Sequence, residues 1–123
     1  MLFRSKLIIN CAYNALSAVA QKPYAALVAV EGVSDLMAAV VDECLLVAAA
    51  DGVAVSGDIH AATRRIAHTM AGQYSSTAQD VARGKPNEID YLNGYVVRRG
   101  RAHGIATPIN QTLLTLVKLV EKH

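Results

Sequence analysis

The stretch from residue 6 to residue 21, KLIINCAYNALSAVAQ, constrains the fold more than any other part of the chain. On an α-helix, at about 100° per residue, its polar side chains other than the Tyr13 hydroxyl fall in one narrow stripe. That stripe consists of Lys6, Asn10, Asn14, Ser17 and Gln21. The other positions are apolar, so most of this helix has to be buried. A solvent face usually carries several mixed charges. The stripe is therefore open to two interpretations, the wall of a polar cleft or the thin wet edge of an ordinary helix.

The same stretch also permits a different interpretation, a secretory leader. The chain opens with the basic sequence MLFRSK, an apolar run follows, and Ala18-Val19-Ala20 has the small-x-small form of a cleavage site. Asn10, Tyr13 and Asn14 argue against a leader, because polar side chains in the apolar segment weaken its insertion into lipid.

Length and composition predict one helical domain over residues 1–123. With 53% apolar residues the chain can form a real core, and its few aromatics and many alanines favour closely packed helices over a β-sandwich. The net charge of +2 is too small to indicate a nucleic-acid partner. Arg98, Arg99 and Arg101 form the only basic cluster, which we interpret as a solvated helix face. No run of 18 apolar residues occurs, so we expect no membrane partner.

The cysteines and histidines predict no metal site. Cys11 and Cys44 lie in apolar contexts without CxxC spacing, which is typical of reduced core thiols in a cytosolic protein, although a disulfide remains open. His60 and His68 share a helix face with Arg64, but they are eight residues apart. Histidine pairs that bind metal on a helix are normally spaced by four, so this face is predicted to be solvated.

Turn and cap residues divide the chain into about six helices without a convincing strand, which predicts an all-α fold. The first helix should end near Gln21, before Lys22-Pro23, and residues 24–30 form a loop or one more helical turn. The predicted boundaries of the later helices are Ser34 to Asp51-Gly52, Ser56 to about Gly72, residues 75–82 with Ser75 or Ser76 as cap, Glu88 to Arg101 before His103-Gly104, and a last helix from Thr107-Pro108.

Three polar groupings are candidates for function: the stripe, SSTAQD (75–80) and NEIDYLNG (87–94). Each has a purely structural interpretation, since hydroxyls cap helices and acidic residues in a first turn stabilise the helix dipole. Together they suit a cleft for a small oxyacid. A lysine with a carboxylate neighbour can donate a proton, and Glu88 is the candidate neighbour. Asparagines can orient the oxygens of a substrate, and Ser76 can hold a carboxylate.

At these residues the sequence resembles a known family. The patterns K-x-x-x-N-x-x-x-N, S-S-x-x-Q-D, x-E-I-D-x-x-N-G and G-I-x-T-P-x-N occur in family order from about Arg4 to Glu121. They are similar to the C-terminal domain of ketopantoate reductase (2-dehydropantoate 2-reductase). The resemblance implies the helical fold of that domain, shared with 6-phosphogluconate dehydrogenase-like enzymes. It makes residues 6–20 an internal helix of a cytoplasmic enzyme rather than a leader.

The family reduces ketopantoate to pantoate with NADPH, on the route to pantothenate and coenzyme A. By resemblance, Lys6 is the catalytic proton donor to the oxygen that becomes the new hydroxyl. Asn10 and Asn14 bind the oxygens of the substrate, and Ser76 binds its carboxylate. Glu88 is the second catalytic residue, lying near the lysine and weakly contributing to the cofactor site.

Other implied properties depend on how this chain departs from the family. Asp80 matches the motif and is expected to have a supporting role. The family usually has Arg and Thr before the glutamate, whereas this chain has Gly84-Lys85-Pro86-Asn87. No G-x-G-x-x-G phosphate loop occurs, so we expect a Rossmann domain to be absent from the chain and to be supplied in cis or in trans. NADP(H) then belongs to the complete enzyme, and the chain alone should bind none and show little activity.

Two alternatives remain open. A non-enzymatic helical interaction or dimerisation module would use the apolar surface bared by the missing domain for self-association. A related enzyme would use the same Lys, Asn and Ser chemistry on another 2-keto acid.

Overall fold

The computed structural model describes residues 4–122, which form seven α-helices and one 3₁₀ turn without a strand. This confirms the predicted all-α class. The elements are α1 (Ser5–Ala20), α2 (Tyr24–Val28), α3 (Val33–Ala50), α4 (Ile59–Thr69), α5 (Ser76–Ala82), the 3₁₀ turn (Ile89–Tyr91), α6 (Asn93–Ala102) and α7 (Pro108–Val120). Residues 1–3, the start of the alternative leader, lie outside the described residues.

The first helix is the centre of the fold, as its composition predicts. It packs against α2, α3, α4, α5 and α7. Ile8, Cys11, Ala12 and Ala15 are fully buried. The small side chains let neighbouring helices approach α1 closely, so the helix is enclosed on most of its surface. Asn14 and Ser17 of the polar stripe are therefore buried too, whereas Lys6 and Gln21 are exposed and Asn10 is half-buried.

Buried side chains of α3 supply the second half of the core. Val40, Val41 and Val47 have no exposed surface. Cys11 and Cys44 are both buried and free, which confirms the prediction of core thiols. Burial, with a smaller contribution from the Cys44 side chain, raises the pKa of the Cys11 thiol, so this thiol stays protonated and unreactive.

Several predicted helix boundaries are confirmed. Gln21 ends α1 in the left-handed conformation, with φ of 53°. The Ser75 hydroxyl caps α5 by accepting a hydrogen bond from the backbone N–H of Ala78 at 3.0 Å. His103 ends α6, and Pro108 opens α7 in its first turn.

The predicted caps at Ser34 and Ser56 are wrong. Gly32, with φ of 90°, precedes α3, so Ser34 lies inside the first turn. Gly57, with φ of 83°, turns the chain after Ser56. Asp58 then caps α4 by accepting a hydrogen bond from the Ala61 N–H at 3.0 Å. This helix ends at Thr69 rather than near Gly72.

The predicted helix from Glu88 to Arg101 is interrupted. The Asn87 Oδ1 accepts a hydrogen bond from the Ile89 N–H at 3.0 Å, which holds the chain in a turn. Leu92 then has φ of −109° and ψ of −102°, outside the helical region, so α6 starts only at Asn93. Residues 24–30, left open between loop and helix, contain α2, which brings the described helices to seven instead of six.

The basic cluster of α6 is only partly a solvated face. Arg98 and Arg101 are exposed, whereas Arg99 is half-buried against Asp51. Between residues 4 and 122 no helix is long and apolar enough to span a membrane.

Candidate functional site

A seam of hydrogen bonds joins the polar stripe of α1 to α5. The Asn14 Nδ2 donates to the Thr77 Oγ1 at 3.2 Å, and both residues are buried. The Ser75 Oγ donates to the backbone carbonyl of Asn14 at 3.2 Å. The seam fixes the start of α5 one helical turn along α1 from Asn10. It therefore brings Ser76, which lies between Ser75 and Thr77, into the neighbourhood of Asn14.

The far end of the stripe, Ser17 and Gln21, is structural. The Ser17 Oγ donates to the backbone carbonyl of Lys22 at 2.9 Å and accepts from the Ser75 N–H at 3.2 Å. The Gln21 Nε2 donates to the backbone carbonyl of Ala78 at 3.1 Å. Both side chains join helix ends, and the Ser17 hydroxyl is fully buried as well.

The near end of the stripe is bonded differently. Lys6 is exposed and Asn10 half-buried, and neither side chain has a hydrogen bond or ion pair with any residue between 4 and 122. Lys6 is the second residue of α1, at the positive end of the helix dipole, where an ammonium gains no stability. No acidic residue occupies this first turn. Lys6 therefore makes no evident contribution to the stability of the fold.

The α5 residues that were predicted to be functional are also unengaged. Ser76 is exposed, and its hydroxyl has no hydrogen-bond partner in the described part of the chain. The half-buried Asp80 forms no side-chain bond there either, while its backbone carbonyl accepts from the Lys85 N–H at 2.8 Å. The structure thus separates Ser75, which caps the helix, from Ser76, which is free to bind.

The loop that carries Glu88 is held from both sides. Before it, the Asn87 Nδ2 donates to the Glu121 Oε1 at 3.2 Å. After it, the Asp90 carboxylate pairs with the Lys118 ammonium at 2.8 Å. Glu88 itself is exposed and unpaired within residues 4–122, and the structure describes no ion pair between it and Lys6. Their proximity stays a prediction, whereas Asn87, a departure from the family pattern, has a clear structural role.

Sequence reasoning missed Asn93, which ties this loop to α1. Its side chain is fully buried, and its Nδ2 donates to the Cys11 backbone carbonyl at 3.2 Å and to the Asn110 Oδ1 at 3.0 Å. Cys11 directly follows Asn10 in α1. The start of α6, five residues after Glu88, is therefore bonded to the helix that carries the stripe. The N-G pair within x-E-I-D-x-x-N-G was the only available signal.

Glu43 was also missed, and it completes this network. Its carboxylate accepts hydrogen bonds from the backbone N–H groups of Ile109 and Asn110, both at 2.9 Å, and from the Asn110 Nδ2 at 2.8 Å. A carboxylate from α3 thus caps the N-terminus of α7, where unpaired donors and the helix dipole favour a negative charge. The sequence signal was a lone acid pair, Asp42 and Glu43, inside an apolar helix.

A third missed cluster lies at the C-terminal end of α3, around its cap residue Asp51. Asp51 accepts hydrogen bonds from the Arg99 Nη2 at 2.6 Å and from the His103 Nε2 at 2.6 Å. These bonds, Arg99 first and His103 second, hold the pKa of the Asp51 carboxyl well below its ordinary value. Asp51 lies 48 residues from Arg99, so spacing alone gave no signal. The cluster fastens α6 to α3.

Metal chemistry has no support in residues 4–122, where no group of three or more His, Cys, Asp or Glu side chains could hold an ion. Arg64 and His68 are exposed and His60 is half-buried, as predicted for a solvated face, and all three also line a cavity. Chemically, the unengaged side chains of Lys6, Asn10, Ser76 and Glu88 offer an ammonium, an amide, a hydroxyl and a carboxylate. This set could bind and protonate a small oxyacid.

Comparison with known proteins identifies similar sequences over almost the whole chain. The family model for the C-terminal domain of ketopantoate reductase PanE/ApbA matches residues 3–121. A 2-dehydropantoate 2-reductase from Vibrio cholerae is 41% identical over 120 residues, which are 95% of this chain and 40% of that protein. One from Pyrobaculum aerophilum is 40% identical over 94% of this chain and 42% of its own length. The chain thus spans well under half the length of these relatives.

Solved structures share the fold. A PanE/ApbA family ketopantoate reductase from Ralstonia eutropha is 58% identical with a TM-score of 0.93, over 95% of this chain and 39% of that one. The D-mandelate dehydrogenase solved with NADH and anilino(oxo)acetate is 28% identical with a TM-score of 0.89, over 95% of this chain and 39% of that one.

Proposed function

Since the chain belongs to the ketopantoate reductase family and matches its C-terminal domain, we propose that it is the substrate-binding and catalytic-lysine half of an NADPH-dependent 2-dehydropantoate 2-reductase. The observation that carries the proposal is a contrast in bonding around α1. Lys6, Asn10, Ser76 and Glu88 have no partners within residues 4–122, while the buried asparagines nearby hold helices together. We call these four side chains the open polar edge.

Lys6 is proposed as the proton donor. Hydride addition to the ketone carbon leaves a negative charge on the former carbonyl oxygen, and an ammonium within hydrogen-bond reach stabilises and then protonates this alkoxide. The exposed position of Lys6 in the first turn of α1 leaves its ammonium free for this bond. The products are the secondary alcohol and a neutral lysine amine, which regains its proton from water.

The two asparagines are proposed to orient the substrate in different ways. The Asn10 amide has both its donor and its acceptor available. The Asn14 Nδ2 already donates to Thr77, so we propose that the Asn14 Oδ1 accepts a hydrogen bond from a substrate hydroxyl. Ser76, whose hydroxyl is unengaged and whose neighbour Thr77 bonds Asn14, is proposed to donate to the substrate carboxylate. Asp80 is proposed to have a supporting role.

Glu88 is proposed to hold the lysine and one edge of the cofactor. A carboxylate can accept hydrogen bonds from an ammonium and from an amide or hydroxyl of a dinucleotide. The residues of this chain can contact only one edge of the cofactor, because the sequence contains no Gly-rich loop to bind its phosphates. NADPH, when bound, supplies the hydride. A Rossmann domain in cis or in trans has to hold most of it, and the cytoplasm, where NADPH is formed, is the expected location.

A related activity on another 2-keto acid is the second candidate. The D-mandelate dehydrogenase with the same fold was solved with anilino(oxo)acetate, which is an aromatic 2-oxo acid derivative. A non-enzymatic, self-associating module has weaker support, from the exposed apolar side chains Leu46, Tyr91 and Leu119. The 41% identity to a 2-dehydropantoate 2-reductase favours ketopantoate.

The test is a chimera in which this chain replaces the matching C-terminal segment of the 41% identical relative. We expect NADPH oxidation with ketopantoate and much slower oxidation with phenylglyoxylate. The isolated chain should show almost no turnover. A folded chimera that prefers phenylglyoxylate would favour the second candidate, and one inactive on both acids would contradict the proposal. Sedimentation of the isolated chain as a strict monomer would argue against the self-association module.

A further inference from the structure

A cavity of about 300 Å³ lies among α1, α2, α3 and α4, away from the open polar edge. None of the residues predicted for the catalytic site lines it. Its apolar wall is formed by Val28, Met37, Ala38 and Ala67, with Tyr13 from α1. This volume is at the small end of the range of ligand pockets, about 300–1,000 Å³. At about 30 Å³ per water-sized group it holds roughly ten non-hydrogen atoms.

The polar lining of the cavity is dominated by one face of α4. His60, Arg64 and His68 recur at intervals of four residues and so lie on the same side of the helix. His60 is engaged, because its Nε2 lies 2.9 Å from the Asp42 Oδ1. Arg64 has no hydrogen bond or ion pair within residues 4–122. Its guanidinium is always charged, so the cavity offers one available permanent cation.

The other polar groups restrict what this cation can bind. The Tyr13 hydroxyl donates to the Thr63 backbone carbonyl at 2.5 Å and is not free for a ligand. Ser34 lines the cavity with a hydroxyl that has no partner in the described residues. Asp35 also lines the cavity and is unpaired there. Its charge repels a second carboxylate on the same ligand.

We propose that this cavity binds a small monocarboxylate with a short apolar chain. The carboxylate accepts hydrogen bonds from the Arg64 guanidinium, in the paired geometry that planar guanidinium and carboxylate groups favour. The chain packs against Ala38 and Val28, which are half-buried and otherwise leave apolar surface open to water, with the buried Met37 behind them. Asp35 makes monocarboxylates better ligands than dicarboxylates of the same length. This site is separate from the proposed reductase site and does not depend on it.

The experiment titrates the 123-residue chain with hexanoate, hexanamide and adipate, following backbone amide shifts by NMR. Hexanoate is expected to bind saturably and about tenfold more tightly than either matched compound. The perturbed amides should map to α3 and α4.

Four variants locate the binding. Arg64→Gln should weaken hexanoate binding about tenfold. Asp35→Asn should strengthen hexanoate binding and raise the affinity for adipate toward that for hexanoate. Arg65→Gln is the matched control, because Arg65 is exposed on the same helix and does not line the cavity. Lys6→Ala should leave binding unchanged. Arg64 is itself exposed, so its replacement should not prevent folding.

Several outcomes would overturn the proposal. One is a titration in which hexanoate does not saturate at millimolar concentrations, and another is binding of hexanamide as tight as that of hexanoate. Equal losses in Arg64→Gln and Arg65→Gln would show general electrostatic attraction instead of a site. A loss in Lys6→Ala with none in Arg64→Gln would move the carboxylate to the open polar edge.

Discussion

Asn10 of α1 and Asn93 of α6 meet the same part of α1, since Asn93 bonds the residue that follows Asn10, but their side chains are bonded differently. Asn93 is fully buried and donates to the carbonyl of Cys11, the residue after Asn10, and to Asn110. Asn10 is half-buried and has no hydrogen bond within residues 4–122. An asparagine side chain thus holds helices together at residue 93, whereas at residue 10 it stays available to a ligand.

The difference follows from burial. Moving an unbonded amide out of water costs about 2–7 kcal/mol by transfer measurements, so most polar groups of interior asparagines have partners. The Asn93 Nδ2 follows this rule, whereas the Asn93 Oδ1 is buried without a hydrogen-bond partner in the described part of the chain. An amide at an edge keeps its water and needs none. Groups such as Lys6 and Ser76 that gain nothing from folding are therefore the ones to examine for binding. Removing an interior amide should cost stability, and removing an edge amide should cost function.

The largest effect on stability is expected for Asn110→Ala. This change removes an acceptor for Asn93 and a donor to Glu43, and it leaves a small cavity at a fully buried position. We expect a loss of about 2–4 kcal/mol in the free energy of unfolding, measured by urea denaturation. Asn10→Ala is the matched control and should stay within about 0.5 kcal/mol. Equal losses in the two variants would break the comparison.

A smaller loss is expected for Glu43→Gln. The amide keeps one acceptor for the three donors at the start of α7 but loses the charge that favours them. The expected cost is about 1–3 kcal/mol, by the same measurement. Glu31→Gln, at an exposed position, should change little. If Glu43→Gln were neutral, the cap on α7 would not contribute to stability.

Asp51→Asn should give the smallest effect, and one that depends on pH. The pKa of Asp51 is lowered in the folded state by Arg99 and His103. Its contribution is therefore fully present above the unfolded value, about 3.9, and is lost as the pH falls through the lowered folded value. The melting temperature of the parent chain should exceed that of the variant at pH 5, and this difference should shrink toward pH 2.

The control for this pH series is Asp42→Asn, since the Asp42 side chain is 71% exposed beside His60. A parent-to-variant difference for Asp51→Asn that grew on acidification, or that matched the Asp42 control at every pH, would contradict the assigned role of the cluster with Arg99.

Local sequence signals predicted the helices well and the contacts between helices poorly. The Ser75 cap and the end of α1 at Gln21 depend on neighbouring residues and were correct. The predicted cap at Ser56 was wrong because Gly57 turns the chain, so Asp58 caps α4 instead. Ser and Asp are both good capping residues, and local sequence did not decide between them. Long-range bonds such as Asn93 to Asn110, 17 residues away, have no local signal.

The candidate site shows the same division. The stripe could be read as polar from helical periodicity, but periodicity did not show that α5 covers Ser17 and leaves Lys6 exposed. The roles of Lys6, Asn10, Asn14, Ser76 and Glu88 came from the resemblance and stay predictions. What the structure adds is which of their polar atoms are already engaged, as for the Asn14 nitrogen.

The most direct test of the open polar edge is Lys6→Ala in the chimera described above, with kcat/KM for ketopantoate measured beside Lys22→Ala. Both lysines are exposed and unpaired in the described chain, so only a catalytic role distinguishes them. We expect Lys6→Ala to lower kcat/KM by about 10²–10⁴-fold with an unchanged melting temperature, and Lys22→Ala to stay near the parent value. Activity within a factor of about ten of the parent in Lys6→Ala, or an equal loss in Lys22→Ala, would contradict the central claim.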